Sequence, residues 1–150
     1  MPSMAAACLL HDAGFGSAAP VVTSDWFPAD PDLVVAVMFY DGSGMTTPMA
    51  GVPIAGNVRL QIRARSSAGD VFTAQSMANR AWRVLSEATK DGALTVSAVD
   101  IADYFDGLPA DDLTDCTFLD IQSQTFPTRI DPDERDRPIF TCWLSAEVGV

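Results

Sequence analysis

Basic residues, histidine and paired cysteines are all scarce in this chain of 150 residues. Nine Lys and Arg, eight of them Arg, stand against twenty Asp and Glu, for a formal net charge of −11. Duplex DNA is held mainly through clustered Lys and Arg on its phosphates, so this balance excludes electrostatic capture of nucleic acid. The simplest reading of the acid excess is a solvated surface that repels polyanions. The single histidine, His11, has no Cys or Asp at metal-ligand spacing around it. Alone it builds neither a zinc site nor a catalytic triad, and it reads as a surface or edge residue. Three cysteines, Cys8, Cys116 and Cys142, form no CxxC pair and lie in apolar contexts. They read as reduced, buried small hydrophobes. No apolar run approaches the ~18 residues of a membrane helix, and Met1 to Leu10 has no basic region ahead of its apolar stretch. A soluble protein made and kept inside the cell is therefore expected, with no membrane partner.

Phosphate-binding and calcium-binding loops are missing too. Gly42-Ser43-Gly44 is followed by no Lys-Ser/Thr pair and no helix signal, which fails both nucleotide fingerprints. In Asp131-Pro132-Asp133-Glu134-Arg135-Asp136-Arg137, an arginine occupies the fifth position of the would-be calcium loop and an aspartate the sixth, where glycine is required. That cluster reads as a tight, exposed turn in which Arg135 and Arg137 neutralise neighbouring carboxylates. No catalytic constellation, cofactor site or metal site emerges, and the chain reads as a non-enzyme.

What is present is 48% apolar residues, enough for one folded domain over 1–150. Met4 to Ala13 is a short helix candidate ending at Gly14, and Phe15 to Asp32, with three prolines, reads as an extended connector. Leu33 to Asp41 is a buried strand ending in an Asp41-Gly42 turn. Gly42 to Gly56 contains no charged residue and reads as a long loop or hairpin arm. Asn57 to Arg65 alternates strictly, placing Val58, Leu60, Ile62 and Ala64 on one face and Arg59, Gln61, Arg63 and Arg65 on the other. From Asp70 to Lys90 the residues Val71, Ala74, Ala78, Ala81, Trp82, Leu85 and Ala88 form one helical stripe, with Ser67 or Asp70 as cap and Gly92 beyond the end. Leu94 to Ile101 reads as a weak strand, and 102–115 as a solvated acidic loop. Cys116 to Thr125 and Pro138 to Val148 read as strands, separated by a polar, turn-rich segment from Phe126-Pro127 to Arg137. The order predicts an α+β fold: a mostly antiparallel sheet with one long helix on one face and a short N-terminal helix.

Three stretches resemble the tail terminator proteins of long-tailed bacteriophages. One is the strand Val58 to Arg65, similar to the strand that family places before its main helix. The second is the Ala-rich helix with Ala74, Ala78, Ala81, Trp82, Val84 and Leu85. The third is Phe126 to Arg137 running into a terminal strand. The acidic balance, the residue at Ile130 and the 100–115 segment depart from the family pattern. The resemblance implies a virion protein, built in the host cytoplasm, that forms a hexameric ring on the tail tube. Such a ring ends tube polymerisation and receives the head's connector or stopper protein, and genomic DNA passes through it without specific binding. A neck connector and an acidic DNA mimic are the alternative readings.

Under this reading Met45, Met49, Val52 and Ile54 of the uncharged arm supply an apolar subunit interface. Arg59, Arg63 and Arg65, a row of like charges, seek carboxylates either within the fold or on a neighbouring copy, and at least one of them, Arg63 foremost, is expected at the subunit interface. Asp103, Asp106, Asp111, Asp112, Asp131 and Asp133 are the candidates to line the DNA channel.

Overall fold

Strong β-formers and one amphipathic stripe build a mixed sheet with helices against it, and the fold is α+β. The computed structural model describes residues 2–15, 20–46, 55–105 and 113–149, with 41–46 and 55 described by their backbone. The elements are α1 (Pro2–Asp12), β1 (Val21–Ser24), β2 (Val34–Thr46), β3 (Ala55–Arg65), α2 (Val71–Ser86), β4 (Leu94–Val96), α3 (Ala98–Tyr104), β5 (Cys116–Ser123), β6 (Thr128–Ile130) and β7 (Ile139–Gly149). The strand order is β1-β2-β3-β7-β5-β4, and β6 pairs with β7. β1 runs parallel to β2.

The alternation in β3 has the expected consequence. Val58, Leu60, Ile62 and Ala64 are buried, and across the ladder Ala146, Leu144, Cys142 and Phe140 of β7 meet them on the same face. Helix α2 lays Ala74, Met77, Ala78, Ala81 and Leu85 onto this surface. The Asp70 carboxylate caps it by accepting from the Thr73 backbone N–H at 3.1 Å. The helix stops at Ser86, short of the expected Lys90. Thr89 is drawn to the sheet, where its hydroxyl accepts from Ile121 N–H at 2.9 Å. Gly92 then turns the chain at φ 127°, where a side chain would be strained.

Four expectations need correction. Asp41-Gly42 is no turn: β2 continues to Thr46, with register shifts at Phe39/Asp41 and Ser43/Thr46. The arm is therefore largely strand at its base, and only 47–54 lie outside the described residues. The connector holds β1, whose Val21, Val22 and Thr23 are β-branched residues clear of its prolines. Its last bond is taken over by Asp25, whose left-handed backbone (φ 55°) turns the chain away while its carboxylate accepts from Phe39 N–H at 2.6 Å. The strand expected over Leu94 to Ile101 ends at Val96, and from Ala98 into the acidic stretch the chain is helix α3, which Ser97 caps by accepting from Asp100 N–H at 3.1 Å. A Ser-x-x-Asp cap signal stands in the sequence there. The polar segment after Phe126 contains β6, paired to β7 from Thr128 to Ile130.

Helix α3 also explains the lone histidine. The Tyr104 ring stacks on His11 at 4.6 Å, and the Tyr104 hydroxyl donates to Asp12. Burial, opposed by the Phe15 backbone and Asp12, lowers the His11 pKa. No helix among the described residues is long and apolar enough to cross a membrane.

Candidate functional site

The sheet face away from α2 carries the polar half of β3, and the structure divides it into two unlike ends. At one end Arg65 is only 2% exposed. Its guanidinium donates to the carbonyls of Pro31 (2.7 Å), Asp32 (3.2 Å) and Ala29 (3.3 Å), and lies over the Phe27 ring at 4.8 Å. Arg137 is buried beside it. Its Nε and Nη2 both reach Asp133 Oδ2 at 2.8 Å, and its Nη1 reaches Asp32 at 2.9 Å and the Ala29 carbonyl at 2.7 Å. Asp133 also accepts from the backbone N–H groups of Arg135 and Arg137, and Arg65 lies 3.9 Å from it. Two loops far apart in sequence, 25–33 and 131–137, are thus clamped over this end of the sheet.

The electrostatics follow from that packing. Burial on its own would raise the Asp133 pKa, but hydrogen bonds from the Arg137 side chain and from the Arg137 and Arg135 backbones hold it below the usual carboxylate value. The bond to Asp133 raises Arg137. Burial, with Arg137 close by, lowers Arg65 against the pull of Asp133, Asp32 and Asp30. The turn is exposed at Asp131, Pro132, Glu134, Arg135 and Asp136, as expected, but it sets Arg137 into the fold with Asp133 half-buried beside it, while the Arg135–Asp30 pair (2.8 Å) stays open to solvent.

At the other end Arg59 is exposed and Arg63 and Trp143 are half-buried among the described residues. Tyr40, half exposed, packs edge-on against Trp143 at 4.7 Å, and the Arg59 guanidinium lies over the same indole at 5.2 Å. Arg63 donates through Nε to Gln61 Oε1 at 2.9 Å. The three arginines expected to act as one row thus separate. Arg65 is consumed within the chain, so it is withdrawn from the subunit-facing set, whereas Arg59 and Arg63 stay on an accessible aromatic face. Tyr40 and Trp143 escaped the sequence reading because their proximity depends on two different strands flanking β3.

The remaining site residues are placed as follows. Met45 is part of β2, described by its backbone, and Met49, Val52 and Ile54 lie outside the described residues. Asp103 on α3 and Asp131 before β7 are exposed. Asp106, Asp111 and Asp112 lie outside the described residues. Asp133 is neutralised by its arginines and does not present a free charge.

No group of three metal-ligating side chains occurs among the described residues. The three thiols are buried, and burial foremost pushes Cys8 and Cys142 up to about 12 and Cys116 to about 11. Held protonated, they are poor nucleophiles.

A second surface lies on the solvent side of α2. Phe72, Gln75, Ser76, Asn79, Arg80 and Arg83 line a groove of about 530 Å³. Phe72 is 80% exposed, and Arg80 is held by the Ala13 carbonyl at 2.7 Å and the Phe15 ring at 4.3 Å. Compared with known proteins, the chain matches no family model and no curated sequence.

Proposed function

We propose that this chain is a structural virion protein that assembles as a ring on a phage tail tube, ends the tube's growth and joins it to the head connector. The observation that carries the reading is the β2–β3 hairpin. Its strands of 13 and 11 residues run the length of the sheet and lead into a span without charge in a chain of net −11. On a monomer such an apolar span has no use, whereas a subunit interface gives it one. Antiparallel pairing in all ladders but β1–β2, with α2 as the longest helix, supports the finer architecture of that family. The accessible Arg59, Arg63, Tyr40 and Trp143 supply a second contact surface, suited to the acidic exterior of a neighbouring copy.

Six copies together carry about −66, so a lumen rimmed by Asp103 and Asp131 repels DNA and lets it slide. The protonated thiols and the isolated His11 support a structural role over a catalytic one.

Electron microscopy of the purified protein tests the proposal. Rings with a central hole that bind tube ends are expected, with no duplex binding in a mobility-shift assay at ~0.15 M salt. A protein that stays monomeric, or that binds duplex tightly, overturns it.

A further inference from the structure

We infer that the Arg59–Arg63 end of the sheet face away from α2 receives the acidic turn 132–136 of a second copy of this chain. This rests on the ring reading and names both halves of one subunit contact.

Two arginines converge at that end without a counter-charge. Gln61 and Trp143 are partners across the β3–β7 ladder. Arg63 reaches this rung from one side through its Nε bond to Gln61 at 2.9 Å, and Arg59 from the other, over the indole at 5.2 Å. The ion pairs of the described residues are made by Arg65, Arg135 and Arg137 and include neither of these two. Glu147, beyond Arg59 on β7 and opposite Asn57, pairs with neither. Like charges gathered on one strand repel until an anion joins them. Tyr40 and Trp143 wall the spot, so an entering carboxylate is shielded from water and its bonds to arginine strengthen.

The carboxylates that fit stand at the far end of the same face. Glu134 and Asp136 are exposed, two residues apart, and form no ion pair among the described residues. Asp133 fixes their turn by accepting from the Arg135 and Arg137 backbone N–H groups and from the Arg137 side chain. A turn already ordered loses little freedom on docking. Pro132, also exposed, offers the indole an apolar contact. Other exposed carboxylates are committed or scattered. Asp70, Asp115 and Asp25 accept backbone N–H groups, Asp12 accepts from Tyr104, and Asp30 holds Arg135. Glu87 and Asp91 flank Lys90, and Asp103 stands alone.

Within one chain the two halves stay apart. Asp133 lies 3.9 Å from Arg65, and Arg59 is roughly 20 Å further along β3. Arg63 is nearer, but its Nε is bonded to Gln61, on the side away from the turn. Acid at one end of a face and arginine at the other make a head-to-tail contact, the kind that closes into rings.

The test uses the full chain, with assembly followed by sedimentation at ~0.15 M salt. One variant carries Arg59→Glu and Arg63→Glu. The other carries Glu134→Arg and Asp136→Asn, asparagine being chosen because position 136 has left-handed backbone (φ 58°). Each alone should need about tenfold more protein to assemble. An equal mixture pairs every reversed receptor with a reversed turn and should assemble at the wild-type concentration. One chain carrying all four changes should do the same. Arg83→Glu with Lys90→Glu makes the same change in net charge as the first variant and should leave assembly untouched. Arg59→Gln with Arg63→Gln, closer in shape, should also weaken assembly, and adding Glu134→Gln should weaken it no further. Reversals without effect, mixtures that fail to recover, additive losses or an equally impaired control overturn the inference and leave the ring reading standing. Recovery as open filaments upholds the contact and removes the ring reading. A wild-type protein that stays monomeric removes both.

Discussion

Replacing Arg137 by alanine removes the centre of the clamp over the Arg65 end of the sheet. The side chain is 4% exposed and makes contacts of 2.8 Å to Asp133, 2.9 Å to Asp32 and 2.7 Å to the Ala29 carbonyl. Breaking a buried pair costs about 3–5 kcal/mol, because the abandoned charge stays desolvated. Here Asp32 is 47% exposed and Asp133 retains Arg65 at 3.9 Å, which places the loss at the low end, about 3 kcal/mol. For a chain of 150 residues that corresponds to a drop of about 9 °C in thermal midpoint. Urea unfolding followed by circular dichroism should show a lower midpoint at unchanged slope. Arg137→Lys, a point charge without the fork, should recover only part of the loss.

The pH dependence has a definite sign. Asp133 has a lowered pKa when folded, so its contribution is present above the unfolded value of ~3.9 and fades as pH falls through the folded one. The Arg137→Ala penalty should therefore shrink in acid. A loss under about 1 kcal/mol at neutral pH would mean that the cluster is screened like an ordinary surface pair, refuting the reasoning.

Leu60→Ala, fully buried between β2 and β7 under the helices, should cost about 2–5 kcal/mol in the same urea assay. The Thr141 hydroxyl is buried and has no hydrogen-bond partner among the described residues, so Thr141→Val should raise stability by about 1 kcal/mol, and a loss would show that the hydroxyl is satisfied. Cys8, Cys116 and Cys142 should resist a thiol-specific chromogenic disulfide at pH 8 and all react once urea unfolds the chain. Rapid reaction of the native protein would contradict their burial and their raised pKa values.

Local pattern alone sufficed wherever one periodicity dominated. The strict alternation of Val58 to Arg65 identified β3 and its buried face, and the three- and four-residue spacing from Ala74 to Leu85 identified α2, leaving its cap between Ser67 and Asp70, of which the structure uses Asp70. These features depend on neighbours within a turn or two, which any reader of the chain can count. Short elements were harder. β1, β6 and α3 have four, three and seven residues, too few for a period to rise above composition, and they lie in stretches that read as a connector, a polar turn and a strand running into an acidic loop.

Tertiary structure alone decided the fates of three arginines that sequence made equivalent. Arg59, Arg63 and Arg65 sit at every second position of one strand, so alternation assigns them to one face and can say no more. What covers that face comes from elsewhere in the chain. Loops 25–33 and 131–137, meeting through Arg137, Asp133 and Asp32, bury Arg65, while Arg59 finds the indole of Trp143 and Arg63 the amide of Gln61. Periodicity records which way a side chain points relative to its own backbone. The partner it meets there is set by contacts tens of residues distant, and no local spacing encodes them.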